Sequence, residues 1–334
     1  MRKLALVLVG LVLGILLAES VLHLSGHWPE ISWEWQLYSS ARVPDEHSIL
    51  IHPHFREVEL YDSGDAKRVI VALGDSFTEG YGVAPEASWP SLVEDEFREN
   101  GANVRVINMG LGNSGPQQQL RVLENHVLPN LRPDDVVWTF YANDRVDDRV
   151  QSTFVVREGS LVPTDASAHW IHRRLALWRS IPLPNILRKR SAILRAYIHV
   201  WEQREREKPT ADRSNEPDLL ELLLERAREQ ARAHGFRLWL VLITPEAAYL
   251  PEQDPDRPSY IHLLEDYDRL RHTLKEQPRF AEARYPTSGA AQLDPARIFL
   301  DPSRDPAYPG DHHFNEEGQR RLASQVYKLV ASQP

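Results

Sequence analysis

The pattern of apolar and polar positions changes character three times along the chain. It opens with an unbroken apolar run, "LALVLVGLVLGILLA" from Leu4 to Ala18, continued by "ESVLHL". Residues 25 to 66 are rich in Trp, Pro and His and show no period, which reads as a linker and an edge segment. From Lys67 onward, short continuous apolar stretches alternate with stretches of helical period. The strand candidates are Val69–Leu73, Val104–Asn108, Val136–Phe140, Leu238–Ile243 and Ile298–Leu300. The helix candidates are Ser91–Asn100, Gln117–Leu131, Leu219–His234, Tyr260–Gln277 and Asn315–Ala331, the last with Leu322, Val326, Leu329 and Val330 on one face. Continuous apolar strands alternating with helices predict an α/β domain whose parallel sheet is covered on both faces. In such a sheet, ligands sit at the carboxyl ends of the strands.

The third change of pattern falls at residues 150 to 215. The stretch "HWIHRRLALWRSIPLPNILRKRSAILRAYIHVWEQREREKP" is dense in Arg, Trp and Leu. It predicts an inserted helical segment whose apolar side packs on the main domain. A lid or membrane-facing surface is the alternative, because basic residues interleaved with Trp and Leu suit anionic headgroups. The expected organisation is residues 1–25 as anchor or signal, 26–66 as linker, and 67–334 as one domain carrying this insertion.

The N-terminal run changes the picture of where the domain works. Arg2 and Lys3 precede it, and from Leu4 to Leu24 it is long enough to span about 30 Å as a helix. Ala18-Glu19-Ser20 is a poor match to a cleavage site, so an uncleaved membrane anchor is expected rather than a removed signal. The basic pair then stays cytoplasmic and the rest of the chain lies on the other side, periplasmic or extracellular.

Composition narrows the chemistry. With 334 residues, 42% of them hydrophobic, there is material for one large core. A net charge of -9 argues against a nucleic-acid surface. The absence of cysteine excludes disulfides, thiolate zinc sites and a cysteine nucleophile. Fourteen histidines invite a metal reading, but no pair stands in a His-x-x-x-His pattern with an acid on a helix face, and no cofactor is expected.

The chemistry-bearing residues collect where strands end. "GDSFTEG" follows the first strand and puts Ser76 at a strand-to-helix turn, where backbone N–H groups point outward. A serine needs a base within hydrogen-bond reach, itself oriented by a third group. The best-framed base lies far along the chain, in "GDHHFNEEG" just before the last helix. "NMGLGNSG" follows the second strand with small residues suited to close backbone approach, and "FYAND" follows the third and offers the Asn143 amide.

Four such loops, supplying Ser, Gly, Asn and His in that order, resemble the SGNH (GDSL-type) hydrolase family over about residues 68–148 and 296–330. The resemblance implies a flavodoxin-like three-layer α/β/α fold with a central five-stranded parallel sheet. It implies Ser76 as nucleophile and His313 as base, with His312 a neighbour outside the chemistry. The oxyanion hole it implies comprises the Ser76 N–H, an N–H from the Gly112–Asn113 turn, and the Asn143 side chain. Counting from Asn108 leaves Gly112 and Asn113 both open for the second donor. Ala142 stands where the family often has glycine. The family's acid usually lies three residues before its histidine, where this chain has Gly310; Asp311, two before, is the natural substitute, with Asp301 and Asp305 in reserve and a His313 that works without an acid as the alternative. The implied activity is hydrolysis of an acyl ester through a Ser76 acyl-enzyme. An acylated envelope carbohydrate is the expected substrate; a lipid ester, acyl transfer, or a non-catalytic polysaccharide-binding role are the alternatives. Beside the nucleophile, Asp75 and Glu79 are expected to fix the turn. The charged run "DRVDDR" is expected to be solvated and the nine tryptophans to be mostly core or insertion packing, with Trp89 and Trp170 the candidates for lining an acyl pocket.

Overall fold

The computed structural model describes residues 64–112, 114–144, 148, 153–163, 219–248, 261–284, 298–299 and 313–332, together with Gly10, Gly14, Leu17, Ser20 and Val21. The chain divides into two compact units, one of Met1–Val43 with Ala166–Asn215 and one of Pro44–Asp165 with Glu216–Pro334. Only those five N-terminal residues of the first unit are described, so most of Leu4–Leu24 and all of residues 164–215 lie outside the described residues. Among the described residues, no helix is long and apolar enough to cross a membrane.

The strands of the second unit are β1 (Arg68–Gly74), β2 (Val104–Gly110), β3 (Asp135–Phe140), β4 (Phe154–Arg157), β5 (Ser160–Pro163), β6 (Arg237–Ile243) and β7 (Phe280–Ala283). Its helices are α1 (Ser76–Glu79), α2 (Trp89–Glu99), α3 (Pro116–Val122), α4 (Leu219–His234), α5 (Ile261–Leu274) and α6 (Glu316–Ala331). After α3 the helical path continues through a wide turn at Leu123–Val127 to Asn130. Five strands form one sheet in the order β2-β1-β3-β6-β7, and every pair is parallel. This is the doubly wound order of a flavodoxin-like domain, with the chain reversing direction across the sheet beside β1.

The alternation of side chains along each strand builds two cores. Val69, Val71 and Leu73 of β1, with Val136, Trp138 and Phe140 of β3, pack under α3, α4 and α5. Ile70 and Ala72, with Val137, Trp239 and Val241, pack under α2 and α6. That is why the strands read as continuous apolar runs: both faces are covered. At the amino end of the sheet the buried Asp135 carboxylate accepts from Arg68 Nε at 2.7 Å, Arg237 Nε at 2.8 Å and Trp239 Nε1 at 2.7 Å. This pairs a buried charge and ties β1, β3 and β6 together, far from the carboxyl ends where the candidate residues lie.

Two expectations are corrected. The fifth strand of the sheet is β7, not Ile298–Leu300. Ile298 and Phe299 are buried, but among the described residues Phe299 makes only an isolated antiparallel bridge with Phe314; Leu300 lies outside the described residues. As an edge strand, β7 is short and half-exposed. Its Glu282 accepts from Arg271 and Arg284, so the segment lacks an apolar signature. The described start of the insertion, moreover, is a hairpin and not a helix. β4 and β5 pair antiparallel across Glu158 and Gly159, both with positive φ (51° and 75°), the two-residue turn that matches strand twist. Phe154 fixes the hairpin by burying its ring in the core beneath α3 and α4.

Candidate active site

Strand order brings three loops to one rim. β1 lies between β2 and β3, so the segments after Gly74, Gly110 and Phe140 leave the sheet side by side. At the first exit, Asp75 caps α1: its Oδ1 accepts from the Phe77 N–H at 3.0 Å. Glycine is required on either side of this turn. A Cβ on Gly74 would fall 2.1 Å from Thr139 Oγ1, and one on Gly110 would fall 2.2 Å from the Glu79 backbone nitrogen. Gly80, at φ +85°, ends α1 in the left-handed region.

His313 reaches this turn from 237 positions away in sequence: its Nε2 lies 2.6 Å from Ser76 Oγ. The nucleophile and base predicted from the sequence are therefore in direct hydrogen-bond contact. Several interactions hold the base there. Asn315 caps α6, accepting from the Gly318 N–H at 3.1 Å and donating to the Phe299 carbonyl at 3.1 Å. Gln319, fully buried, donates to the Phe77 carbonyl at 3.1 Å and accepts from the Trp89 N–H at 2.9 Å, which locks α6 onto α1 and α2. The Phe77 ring touches His313 at 4.9 Å between centroids and Phe314 at 4.9 Å, and Tyr81 meets His313 at 4.7 Å. These rings fix the imidazole plane by packing.

The third loop is set by the same ring, since Tyr141 stacks on Phe77 at 4.2 Å. Asp144 Oδ2 accepts from the Tyr141 N–H at 2.8 Å, closing a tight turn that carries the half-buried Asn143. The charged run is thus not simply solvated. Asp144 is fully buried, and Asp148, nearly so, accepts from the Gln117 N–H at 2.9 Å. The Tyr141 N–H and the Gln119 amide meet the Asp144 carboxylate and the Gln117 N–H meets that of Asp148, which is what allows these groups to leave water. Trp89 is likewise fully buried between α2 and α6, so it lines no acyl pocket. Trp170 lies outside the described residues.

Two acids crowd the serine. Burial raises the Asp75 pKa to about 6, with the Phe77 N–H and His313 pulling the other way; its Oδ2 is buried with no hydrogen-bond partner among the described residues. Burial raises Glu79 to about 7, opposed by the Gly112 backbone N–H and by His313 and reinforced by Asp75. Glu79, expected to fix the turn, is thus a second buried carboxyl near Asp75 and His313. Gly112 is buried, whereas Asn113, Asp301, Asp305, Asp311 and His312 lie outside the described residues.

The GDSL-like Lipase/Acylhydrolase family matches this chain over residues 72–321. The chain belongs to this family. Ser76 and His313 both fall inside the matched span. The chain is 34% identical over 86 residues to an arylesterase of Vibrio mimicus, an alignment covering 25% of this chain. The chain thus spans 40% of the length of that curated relative. Among solved structures, TesA is 16% identical, with 79% of this chain and 99% of TesA aligned at a TM-score of 0.41. A catalytic mutant of the acetylxylan esterase Axe2 from Geobacillus stearothermophilus is 15% identical, with 80% of this chain and 96% of that one aligned at a TM-score of 0.39.

Sequence reasoning within the family motifs missed the supporting amides. Gln319 stands seven residues before Val326 in α6 and resembles any surface glutamine. Gln117, Gln118 and Gln119, all buried, did leave a signal: three uncharged amides in a row at a helix start, where an exposed helix would carry charge.

Proposed function

We propose that this protein is a serine ester hydrolase in which Ser76 is acylated and His313 is the general base. The observation that carries the reading is the 2.6 Å contact between Ser76 Oγ and His313 Nε2 at the carboxyl rim of the sheet. Ser76 Oγ attacks the ester carbonyl carbon as His313 Nε2 takes its proton, giving a tetrahedral oxyanion and an imidazolium. The imidazolium returns that proton to the leaving alcohol as the C–O bond breaks, and a water molecule, activated by the same imidazole, then releases the acid. The developing oxyanion is held by the Ser76 N–H, the Asn143 amide and one N–H of the second loop. That last donor comes from the Gly112–Asn113 turn. Asp311 is assigned as the partner of His313, fixing its tautomer and stabilising the imidazolium.

The substrate class we propose is an acylated carbohydrate of the cell envelope, on a domain tethered outside the cytoplasm. What supports the tether is the Leu4–Leu24 run, in which Leu17 and Val21, one helical turn apart, are 68% and 56% exposed. Large apolar side chains left open on one helix stripe call for an apolar surrounding. Hydrolysis of p-nitrophenyl acetate and of longer-chain p-nitrophenyl esters by the purified protein tests the reaction, with Ser76→Ala as control. Turnover that survives in Ser76→Ala would reject it.

A further inference from the structure

The buried amide Gln119 touches both loops that flank the nucleophile. Its Nε2 donates to the Ser114 carbonyl at 2.7 Å, with Ser114 Oγ and Asp144 Oδ1 each at 3.3 Å. Its Oε1 accepts from Trp138 Nε1 of β3 at 2.5 Å. Asp144 in turn takes the Tyr141 N–H through its other oxygen, and Ser114 Oγ donates to the Leu111 carbonyl at 2.5 Å. Gln119, Ser114 and Asp144 are all at most 1% exposed. The two loops are also in backbone contact, since a Cβ on Gly115 would lie 2.6 Å from the Asp144 carbonyl oxygen.

The placement of these contacts is specific. Ser114 follows the Gly112–Asn113 turn and Asp144 follows Asn143, so the Gln119 contacts land directly after the two stretches from which the second-loop N–H and the Asn143 amide are proposed to come. The opposite end of the amide is pinned to the rigid central strand. We infer that Gln119, with Asp144, is a positioning residue that sets the spacing between the second-loop N–H and the Asn143 amide, and so the fit of the hole to the tetrahedral oxyanion. The inference rests on the serine-esterase mechanism above. Its physical basis is that oxyanion donors work only when already held at the position the oxygen takes up in the transition state. A core glutamine that served stability alone would have no reason to discriminate between ground state and transition state.

The test uses the full chain with p-nitrophenyl acetate as substrate and phenylboronic acid as a tetrahedral-adduct probe. Gln119→Glu keeps the acceptor for Trp138 and loses the Nε2 donors; Gln119→Met removes both ends at similar volume. Each is expected to lower kcat about 10- to 100-fold, part of the loss seen on deleting an oxyanion donor. KM stays within about threefold, the pH at which the kcat/KM profile bends is unmoved, and phenylboronic acid weakens in proportion to kcat/KM. Asp144→Asn, which turns an amide N–H toward Gln119 Nε2, gives the same signature and serves if the Gln119 variants do not fold. Trp138→Phe frees the far end of the amide and leaves space beside it, so it lowers Tm and also lowers kcat, by less than the Gln119 variants do. Folded Gln119 variants with wild-type kcat would overturn the inference, as would a loss carried by KM. In those cases Ser76→Ala would still be inactive and the esterase reading would stand. Wild-type protein that neither turns over the ester nor binds the boronate would instead remove the esterase reading itself.

Discussion

Replacing Glu79 by Gln should stabilise the protein, and increasingly so as pH rises. The Glu79 carboxyl is raised from 4.5 to about 7, chiefly because burial disfavours its charged form. Between those two values the unfolded chain has released the proton while the folded chain keeps it, so raising pH across the window favours unfolding. The stabilisation is full below pH 4.5 and is lost as pH passes through about 7. At about 1.4 kcal/mol per pKa unit, the gap is worth roughly 3 kcal/mol, which partial solvent contact trims to about 2 kcal/mol. Gln has no proton to lose, and its amide oxygen still faces the Gly112 N–H. Asp75, raised to about 6 by burial, adds a slope of the same sign from pH 3.8 upward, and the substitution leaves that acid in place. The assay is urea unfolding of wild type and Glu79→Gln at intervals from pH 4.5 to 8. The expected difference is near zero at pH 4.5 and about 2 kcal/mol in favour of the variant at pH 8. A difference that is flat with pH, or that shrinks as pH rises, would refute the placement of Glu79 as a buried carboxyl.

Two further outcomes follow from the way the base is held. Gln319→Met leaves the Phe77 carbonyl and the Trp89 N–H without their buried partner, and should destabilise by about 2–4 kcal/mol. Ester hydrolysis should fall with it as α6 loosens from α1, checked by thermal unfolding and kcat side by side. Asp311→Asn should lower kcat about 10²- to 10⁴-fold with little change in KM, and adding it to His313→Ala should cost almost nothing more, as groups acting as one unit require. If Asp301→Asn or Asp305→Asn produced that loss and Asp311→Asn did not, the acid would be reassigned.

Much of the fold was legible because its strands are covered on both faces. Val69–Leu73 and Leu238–Ile243 carry uninterrupted apolar sequence for that reason, and their expected bounds fall within a residue or so of the observed strands. β7 was not legible, because an edge strand buries little and needs no apolar run. Ile298–Leu300 misled for the converse reason: Ile298 and Phe299 are apolar because they sit beneath α6, as burial alone demands, without joining the sheet. The meeting of Ser76 and His313 was legible in the order of the loops, although no local pattern spans that sequence distance. The bracing amides were not, since a buried glutamine and a solvated one look the same until its partners are known. Asp144 shows the same limit: its charge suggested solvent, and only the Tyr141 N–H and Gln119 amide around it explain its burial.

The most direct test of the account is to label the protein with a fluorophosphonate probe and map the modified peptide by mass spectrometry. The phosphorus should be bonded to Ser76 alone, with labelling abolished in Ser76→Ala and slowed at least 10³-fold in His313→Ala, while both variants still unfold cooperatively. A probe found on another serine, or labelling of Ser76 at the wild-type rate without His313, would contradict it.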